Sequence, residues 1–307
     1  MRHGRALITM VAAVLTGSAT VPLLAGPASA AARSASCTSA SHTALAAKLG
    51  HDIDRALRGR VSAVAIGVDD PGRGLQCWLN STAHFDSASV VKVTILSALL
   101  RKAQEQHRYL TPTEAALAEE MITESDNDAA SDLWYDVGRP DLQHFLNLAH
   151  MTRTYLGPGP YWGLTQITAY DEVLLLRLLL HPNGVLDTRS RDYVLDLMAR
   201  VIPSQRWGVP VSAPTTLTVH VKNGWLPLLT NGWRIHSIGA FTGPGGGYSI
   251  VVLTQDNPTM TYGIDTIEAI ANVINPDLNP QAKSRVPASA VSPAWNTPDE
   301  PVPAGAR

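Results

Sequence analysis

Cysteine and lysine are scarce in this chain of 307 residues, and clusters of basic residues are absent. Two cysteines are too few for a structural zinc site and no histidines have ligand spacing, so we expect no metal and no cofactor. The formal net charge is −2, and binding to nucleic-acid phosphates requires basic clusters. These absences argue against both a metalloprotein and a nucleic-acid-binding protein.

The N-terminal segment lacks the unbroken run of about 20 apolar residues that a membrane-spanning helix needs. Residues 1–5 carry two arginines, and residues 6–25 are apolar but are interrupted by glycine, serine and proline. Residues 28–30 read Ala-Ser-Ala, a small-x-small cleavage site. This layout is typical of a secretory signal peptide. We therefore expect residues 1–30 to be removed on export, leaving a secreted protein without a membrane anchor.

The two cysteines, Cys37 and Cys77, both remain after this cleavage. Because an exported protein meets an oxidising environment, we interpret them as one disulfide that ties the N-terminal arm to a strand. Two free buried thiols are the alternative.

The C-terminal segment is poor in apolar residues with regular spacing. From Pro276 to Arg307 there are seven prolines, with alanine and serine between them. Such a composition buries too little surface to offset the entropy of ordering. We predict a disordered tail over residues 278–307, which leaves one domain over residues 31–277.

Apolar periodicity predicts the order helix, two strands, a block of helices, three strands and a last helix. Helices are expected over residues 43–57, 89–106, 113–122, 128–137, 141–149, 168–180, 190–201 and 264–274, and strands over 61–68, 75–79, 217–223, 233–241 and 248–254. Strands from both chain ends must then meet in one antiparallel sheet, with the central helices on one side. The expected fold is an α/β sandwich with a helical lobe, and the cleft between them is the expected site.

Three short motifs occur in the part of the chain that we expect to fold. Residues 89–92 read Ser-Val-Val-Lys, residues 125–127 read Ser-Asp-Asn, and residues 222–224 read Lys-Asn-Gly. Lysine occurs only five times, yet Lys92 and Lys222 both fall on motif positions. Since lysine can lose its proton in a protein and arginine cannot, this bias favours proton-transfer chemistry.

The first motif has a direct chemical interpretation. Ser89 and Lys92 are three residues apart at a predicted helix start, so their side chains share a face. Burial and a second nearby cation lower the pKa of a lysine, and the neutral amine could take the Ser89 proton during attack on a carbonyl. Backbone N–H groups at the helix start would then face the oxyanion. The alternative is a capping serine followed by a solvated lysine.

The other two motifs would complete such a site. We expect Ser125 to relay a proton between the lysines and the leaving nitrogen, and Asn127 to hold a substrate amide. Ser-Asp-Asn is also an ordinary helix cap, and both interpretations can hold at once. In the predicted strand, alternation places Val219 and Val221 on one face and Lys222 on the other, where it can reach the cleft.

Taken together, the motifs resemble those of the class A β-lactamase and penicillin-binding protein family. The resemblance covers most of the mature chain and implies the β-lactamase/transpeptidase-like fold. It also implies acylation of Ser89 by a small-molecule substrate, either a β-lactam or a D-alanyl cell-wall peptide amide.

The resemblance also suggests how the substrate is held. It places Asn223 and Gly224 in the substrate-binding segment and takes the second oxyanion N–H from Trp225. Arg234 and His236 share a strand face, and either is a candidate to bind the substrate carboxylate.

Two features depart from the family pattern. Ser89 and Ser125 are only 36 residues apart, so we expect a loop at the cleft mouth to be missing. The family's deacylating glutamate lies in an omega loop, whereas no Asp or Glu occurs here between Asp141 and Asp171. Groups for acylation are therefore present, and the usual deacylating carboxylate is not.

These departures leave four hypotheses. The chain is a β-lactamase-like hydrolase that deacylates by another route, a D-alanyl peptidase or transpeptidase-like enzyme, or a penicillin-binding sink or sensor that deacylates slowly. The fourth hypothesis, a non-catalytic wall-binding domain, is disfavoured by the complete set of two serines and two lysines.

Overall fold

A six-stranded antiparallel sheet organises the fold in the computed structural model, which describes residues 34–227, 232–244 and 246–288. Its strand order is β1-β3-β2-β8-β7-β6, and a second sheet pairs β4 with β5. The strands are β1 (Ser36–Thr38), β2 (Ala63–Asp70), β3 (Leu75–Leu79), β4 (Phe85–Asp86), β5 (Gln166–Ile167), β6 (Thr218–Pro227), β7 (Trp233–Gly243) and β8 (Gly246–Asn257). Strands from both chain ends therefore meet in one sheet, as predicted.

Seven α-helices surround this sheet within the described ranges. They are α1 (Thr43–Ala56), α2 (Val91–Glu105), α3 (Pro112–Glu119), α4 (Asn127–Leu148), α5 (Ala169–Leu180), α6 (Thr188–Ala199) and α7 (Met260–Leu278). No helix in these ranges combines the length and the apolar character needed to cross a lipid bilayer.

Two separate cores form because side chains alternate across the sheet. On β8, Val251 and Leu253 pack with the helical lobe that contains α2, α4, α5 and α6. The neighbouring Ile250 and Val252 pack with α1 and α7 on the opposite face. Helix α2 is buried nearly all round within the first core, as its continuous apolar run predicts. The α/β architecture with a helical lobe is confirmed.

Helix α4 joins two segments that the sequence predicts as separate helices. Gly138 has φ 75° and ψ 154°, and Pro140 follows two residues later. A helix cannot continue undisturbed through such a pair, so α4 is kinked there. The prediction of two helices thus reflects a real interruption.

The segment after α7 differs from the predicted tail. Residues 284–286 pair with residues 212–215, with Ser212 N donating to Val286 O and Val286 N donating to Ala213 O. Arg285 also donates to the carbonyls of Ser212 and Asn279. Backbone pairing and one arginine hold this stretch where its composition offers no apolar pattern. The rest of the predicted tail, residues 289–307, lies outside the described residues, as does the predicted signal peptide.

The disulfide pairing is confirmed. Cys37 of β1 lies directly opposite Cys77 of β3 in the strand ladder, and the two form a disulfide. The bond therefore fastens the N-terminal arm to one edge of the sheet.

Candidate active site

The first motif lies where a 3-10 turn, Ala88–Val90, leads into α2. Ser89 is buried at this junction. Strand β6 passes very close to it, because a Cβ added to Gly224 would lie only 2.9 Å from the backbone nitrogen of Ser89. Glycine at position 224 therefore permits the approach of the turn to the strand.

Lys92 is the second residue of α2 and is fully buried. Its Nζ donates to the backbone oxygen of Ser125 at 2.7 Å and to Asn127 Oδ1 at 2.6 Å. It also lies 3.2 Å from Ser125 Oγ. The first and second motifs are thus brought together by direct contact.

The Ser-Asp-Asn motif combines a cap with two site residues. Ser125 adopts a left-handed conformation, φ 63°, where a short π-helical turn ends. Asp126 then caps α4, its Oδ1 accepting from Ala129 N at 2.7 Å, which is the usual role of aspartate at this position. Ser125 and Asn127 both contact Lys92, so the helix cap and the contact with the first motif occur together. The proton relay by Ser125 and the substrate contact of Asn127 stay predictions.

Lys222 approaches the same hydroxyl from the sheet. Its Nζ donates to Ser125 Oγ at 2.8 Å and to Asn223 O at 3.1 Å. The predicted alternation is confirmed, since Val219 and Val221 pack into the core beneath the other sheet face. Strand β6 forms one edge of the sheet, and Gly224 and Trp225 follow Lys222 along this edge.

The side chain of Asn223 supports the cleft wall. Its Nδ2 donates to Gln205 O at 2.8 Å and to Trp207 O at 3.0 Å. Gln205 in turn donates from Nε2 to Glu124 O at 2.7 Å. This contact links the segment before Ser125 to β6. Sequence patterns gave no signal for Gln205, because its role depends on contacts between distant segments.

Arg234 and His236, the two candidates to bind the substrate carboxylate, both contact Asp86. Arg234 directs Nε and one terminal nitrogen at Asp86 Oδ2, each at 3.0 Å. His236 Nε2 donates to Asp86 O at 2.7 Å, while its Nδ1 accepts from Thr254 N at 3.1 Å. These bonds require the neutral imidazole, and burial lowers the pKa of His236 to about 4. Both side chains thus brace the segment just before Ser89.

The loop that leads into α5 brings an aromatic ring to the site. Trp162 is fully buried, and its ring centroid lies 4.7 Å from Lys92 Nζ. The loop is fastened beside Ser89 by a bond from Ser87 N to Thr165 O of 2.8 Å. The sequence carries no signal for the position of Trp162, since an isolated tryptophan in a glycine- and proline-rich loop has no periodicity.

The first acidic residues after this loop are buried at the start of α5. Asp171 Oδ2 accepts from Arg153 N at 2.8 Å and from Thr154 Oγ1 at 2.9 Å, so it holds the loop. Burial raises the pKa of Asp171 and raises that of the fully buried Glu172 well above its usual value. Glu124, before the second motif, is exposed. Within the described ranges, no group of three acidic, histidine or cysteine side chains could hold a metal ion.

Comparisons with known proteins identify a family. Residues 108–277 match the model of a family described as the β-lactamase enzyme family. The matched region contains Ser125, Asn127 and Lys222 and begins after Ser89 and Lys92. No match was found among curated proteins.

Solved structures of low sequence identity share the fold. A class A β-lactamase from Bacteroides cellulosilyticus is 18% identical with a TM-score of 0.67, the match covering 76% of this chain and 98% of that one. A β-lactamase from Sphaerobacter thermophilus is 20% identical with a TM-score of 0.62 over 74% and 95% of the chains. A mutant of PBP-A, solved as an acyl-enzyme complex with penicillin G, is 18% identical with a TM-score of 0.64 over 76% and 97%.

Proposed function

The chain belongs to the β-lactamase enzyme family, and from that premise we propose that it is a secreted serine hydrolase with Ser89 as nucleophile. The substrates are β-lactams or D-alanyl-peptide-like amides, and each turnover passes through an ester of Ser89. Export is supported by the leader-like composition of residues 1–30 and by the disulfide between Cys37 and Cys77, because disulfides persist in oxidising compartments.

The observation that carries the proposal is one hydroxyl between two buried lysines. Ser125 Oγ lies 3.2 Å from Lys92 Nζ and 2.8 Å from Lys222 Nζ. Two ammonium groups around one hydroxyl repel each other, which favours the loss of a proton from one of them. A neutral amine three residues after Ser89 on a helix start is the base that a serine nucleophile needs.

Acylation then combines attack by Ser89 with a series of proton transfers. Ser89 Oγ attacks the carbonyl carbon, and its proton passes to the Lys92 amine. The backbone N–H groups of Ser89 and Trp225 are expected to stabilise the oxyanion. The carbon–nitrogen bond breaks, the leaving nitrogen takes the Ser125 hydroxyl proton, and a lysine ammonium returns a proton to Ser125.

Asn127 and the Lys-Asn-Gly segment are proposed to hold the substrate. Asn127 Oδ1 accepts from Lys92, which leaves the Asn127 amide N–H groups to bind a substrate carbonyl. Asn223 contributes by holding the cleft wall, and Gly224 by keeping β6 close to Ser89. Arg234 stays a proposed carboxylate binder, and its ion pair with Asp86 holds the guanidinium in place while offsetting part of its charge.

The acyl-enzyme is expected to break down slowly. Residues 142–170 contain no aspartate or glutamate, and Asp171 holds the loop backbone. General-base assistance is worth roughly 10²–10⁴-fold in rate, so its loss sets the expected deficit in hydrolysis. D-alanyl peptide hydrolysis is the second candidate function, and the same missing carboxylate favours it over efficient β-lactam turnover.

The decisive experiment is intact-mass spectrometry during incubation with penicillin G. We expect the protein to gain the mass of one penicillin and to keep it for minutes or longer. Ser89→Ala should gain no mass, and Ser97→Ala is the matched control, because Ser97 is a buried serine further along α2. Equal labelling of Ser89→Ala would exclude Ser89 as nucleophile, and fast turnover without an adduct would exclude slow deacylation.

A further inference from the structure

Trp162 contacts the proposed general base through the face of its ring. Its ring centroid lies 4.7 Å from Lys92 Nζ, inside the distance at which a cation is attracted to an aromatic face. Trp162 is fully buried, so this attraction acts away from water, where it is strongest. The loop that lacks a carboxylate therefore places an indole ring beside the Lys92 amine.

A chain of hydrogen bonds fixes the orientation of this ring. Trp162 Nε1 donates to Ser131 Oγ at 3.1 Å, and Ser131 Oγ donates to Asn127 O at 2.9 Å. Asn127 Oδ1 in turn accepts from Lys92 Nζ at 2.6 Å. Lysine, asparagine, serine and tryptophan thus form a closed ring of contacts, so the indole cannot turn without breaking a bond to α4.

We propose that Trp162 is a positioning residue that retains the proton on Lys92 after acylation and so prolongs the life of the acyl-enzyme. The inference rests on the function proposed above. An ammonium at Lys92 has an acceptor in Ser125 O at 2.7 Å, a second in Asn127 Oδ1 and the indole face as a third partner. A neutral amine gains much less from such surroundings.

This preference decides how the protons move. Lys92 takes the proton of Ser89 and keeps it, and Lys222 resupplies Ser125 after Ser125 has protonated the leaving nitrogen. The sum of charges on the two lysines is unchanged, with the ammonium moved from Lys222 to Lys92. Lys92 then cannot accept a proton from water, so the group that promotes acylation does not assist hydrolysis of the ester.

Among the described residues, the titratable groups on the elements around Lys92 are Lys222 and His220 on β6, the acids of α4 and of the segment before it, and the buried Asp171 and Glu172 at the start of α5. Lys222 on β6 reaches the shared hydroxyl. The acidic side chains Glu124, Asp126 and Asp128 are exposed, and Asp126 is bound to the backbone of Ala129. Weakening the π face of the indole should therefore shift the acid limb of the acylation rate by changing the protonation of Lys92.

The test uses tryptophan analogues with increasing fluorine content, which keep the size and the N–H of indole but weaken its π face. With a fluorescent penicillin, the acid limb of the acylation rate should move to lower pH by about 0.5–1.5 units across the series. Acyl-enzyme lifetime, followed by intact mass, should fall by roughly 3- to 30-fold as more Lys92 is neutral. The same series in Trp162→Phe should show neither trend.

Two substitutions separate this role from packing. Trp162→Leu should shift the acid limb as the analogues do, whereas Trp134→Leu should not, although Trp134 is also buried and bonds Gly159 of the same loop. Ser131→Ala removes only the acceptor of the indole N–H and should give a smaller shift. If the natural enzyme forms no covalent adduct with the fluorescent penicillin, the proposed function itself is refuted. If the enzyme is acylated but the acid limb of the acylation rate and the acyl-enzyme lifetime do not change with fluorination, Trp162 does not have the proposed role. The same conclusion follows if Trp134→Leu shifts them as much as Trp162→Leu does.

Discussion

The Lys92 amine makes several close polar contacts within the site. Its Nζ approaches Ser125 O, Ser125 Oγ and Asn127 Oδ1 within 3.2 Å. Lys92→Arg should therefore be nearly as inactive in penicillin acylation as Lys92→Ala, because a guanidinium keeps its proton and cannot serve as a base. Stopped-flow labelling would measure this. Lys102→Arg, on the same helix but partly exposed, should be unaffected, and near-normal acylation by Lys92→Arg would show that only the charge matters.

Glu172 is a buried acid that has no evident catalytic use. It is fully buried in α5, and both carboxylate oxygens lack a hydrogen-bond partner in the described residues. Burial raises its pKa well above the ordinary value, with a smaller contribution from Asp171. The folded protein thus holds a proton that the unfolded chain releases above about pH 4.5, so stability is full below that pH and falls as the pH rises.

Replacing this acid by an apolar side chain should remove the dependence. Between pH 5 and pH 7 the natural protein should lose unfolding free energy relative to Glu172→Leu, with a slope that reaches at most about 1.4 kcal/mol per pH unit because one proton is linked to folding. Urea denaturation at the two pH values measures the difference. Glu120→Leu, which changes an exposed acid, is the control. Equal slopes for Glu172→Leu and the natural protein would show that Glu172 is ionised in the fold.

The approach of β6 to the turn before α2 depends on one glycine. A Cβ at position 224 would meet the Ser89 nitrogen at 2.9 Å, the Ala88 Cβ at 3.0 Å and the Ser87 oxygen at 3.0 Å. Gly224→Ala should push β6 away from the nucleophile and lower the acylation rate by at least tenfold, because a displacement of about 1 Å can cost 10²-fold. Gly184→Ala, where the added Cβ meets nothing within 4 Å, is the control. Unchanged acylation by Gly224→Ala would mean that the contact is not needed.

Regular elements were predictable because their side-chain period determines which face is buried. The alternation along β6 correctly directs Lys222 toward the lobe and Val219 and Val221 toward α1 and α7. Local spacing likewise places Ser89 and Lys92 at the start of α2. These features depend on residues that are near neighbours in the chain, so no knowledge of distant contacts is required.

Contacts between distant segments were not predictable in the same way. Arg234 was one of two candidates to bind the substrate carboxylate, and its ion pair with Asp86, 148 residues earlier in the chain, could not be predicted from the sequence. The position of Trp162 over Lys92 likewise depends on how an aperiodic loop is anchored, through Thr165 and Ser131. Composition also led us to expect a disordered tail from residue 278, whereas residues 284–286 pair with the backbone of residues 212–215.

In the molecule as a whole, the disulfide and the site residues of β6 lie at opposite edges of the sheet. The disulfide joins β1 to β3 at one edge of the sheet, while Lys222 and Gly224 belong to β6 at the other edge. Neighbouring strands lie about 4.8 Å apart, so the two edges are separated by roughly 24 Å. Stability and acylation should therefore respond independently to loss of the disulfide.

Replacing both cysteines by alanine tests this separation. The bond closes a loop with a sequence separation of 40 residues, and its loss should lower the unfolding free energy by about 2–5 kcal/mol, chiefly by freeing the unfolded chain. The rate of penicillin acylation well below the melting temperature should stay within about twofold, because additivity holds for distant sites. Non-reducing peptide mapping of the secreted natural protein should recover Cys37 and Cys77 in one linked peptide. A large loss of acylation in a variant that is still folded would mean that the edge strand β1 is coupled to the site through the sheet.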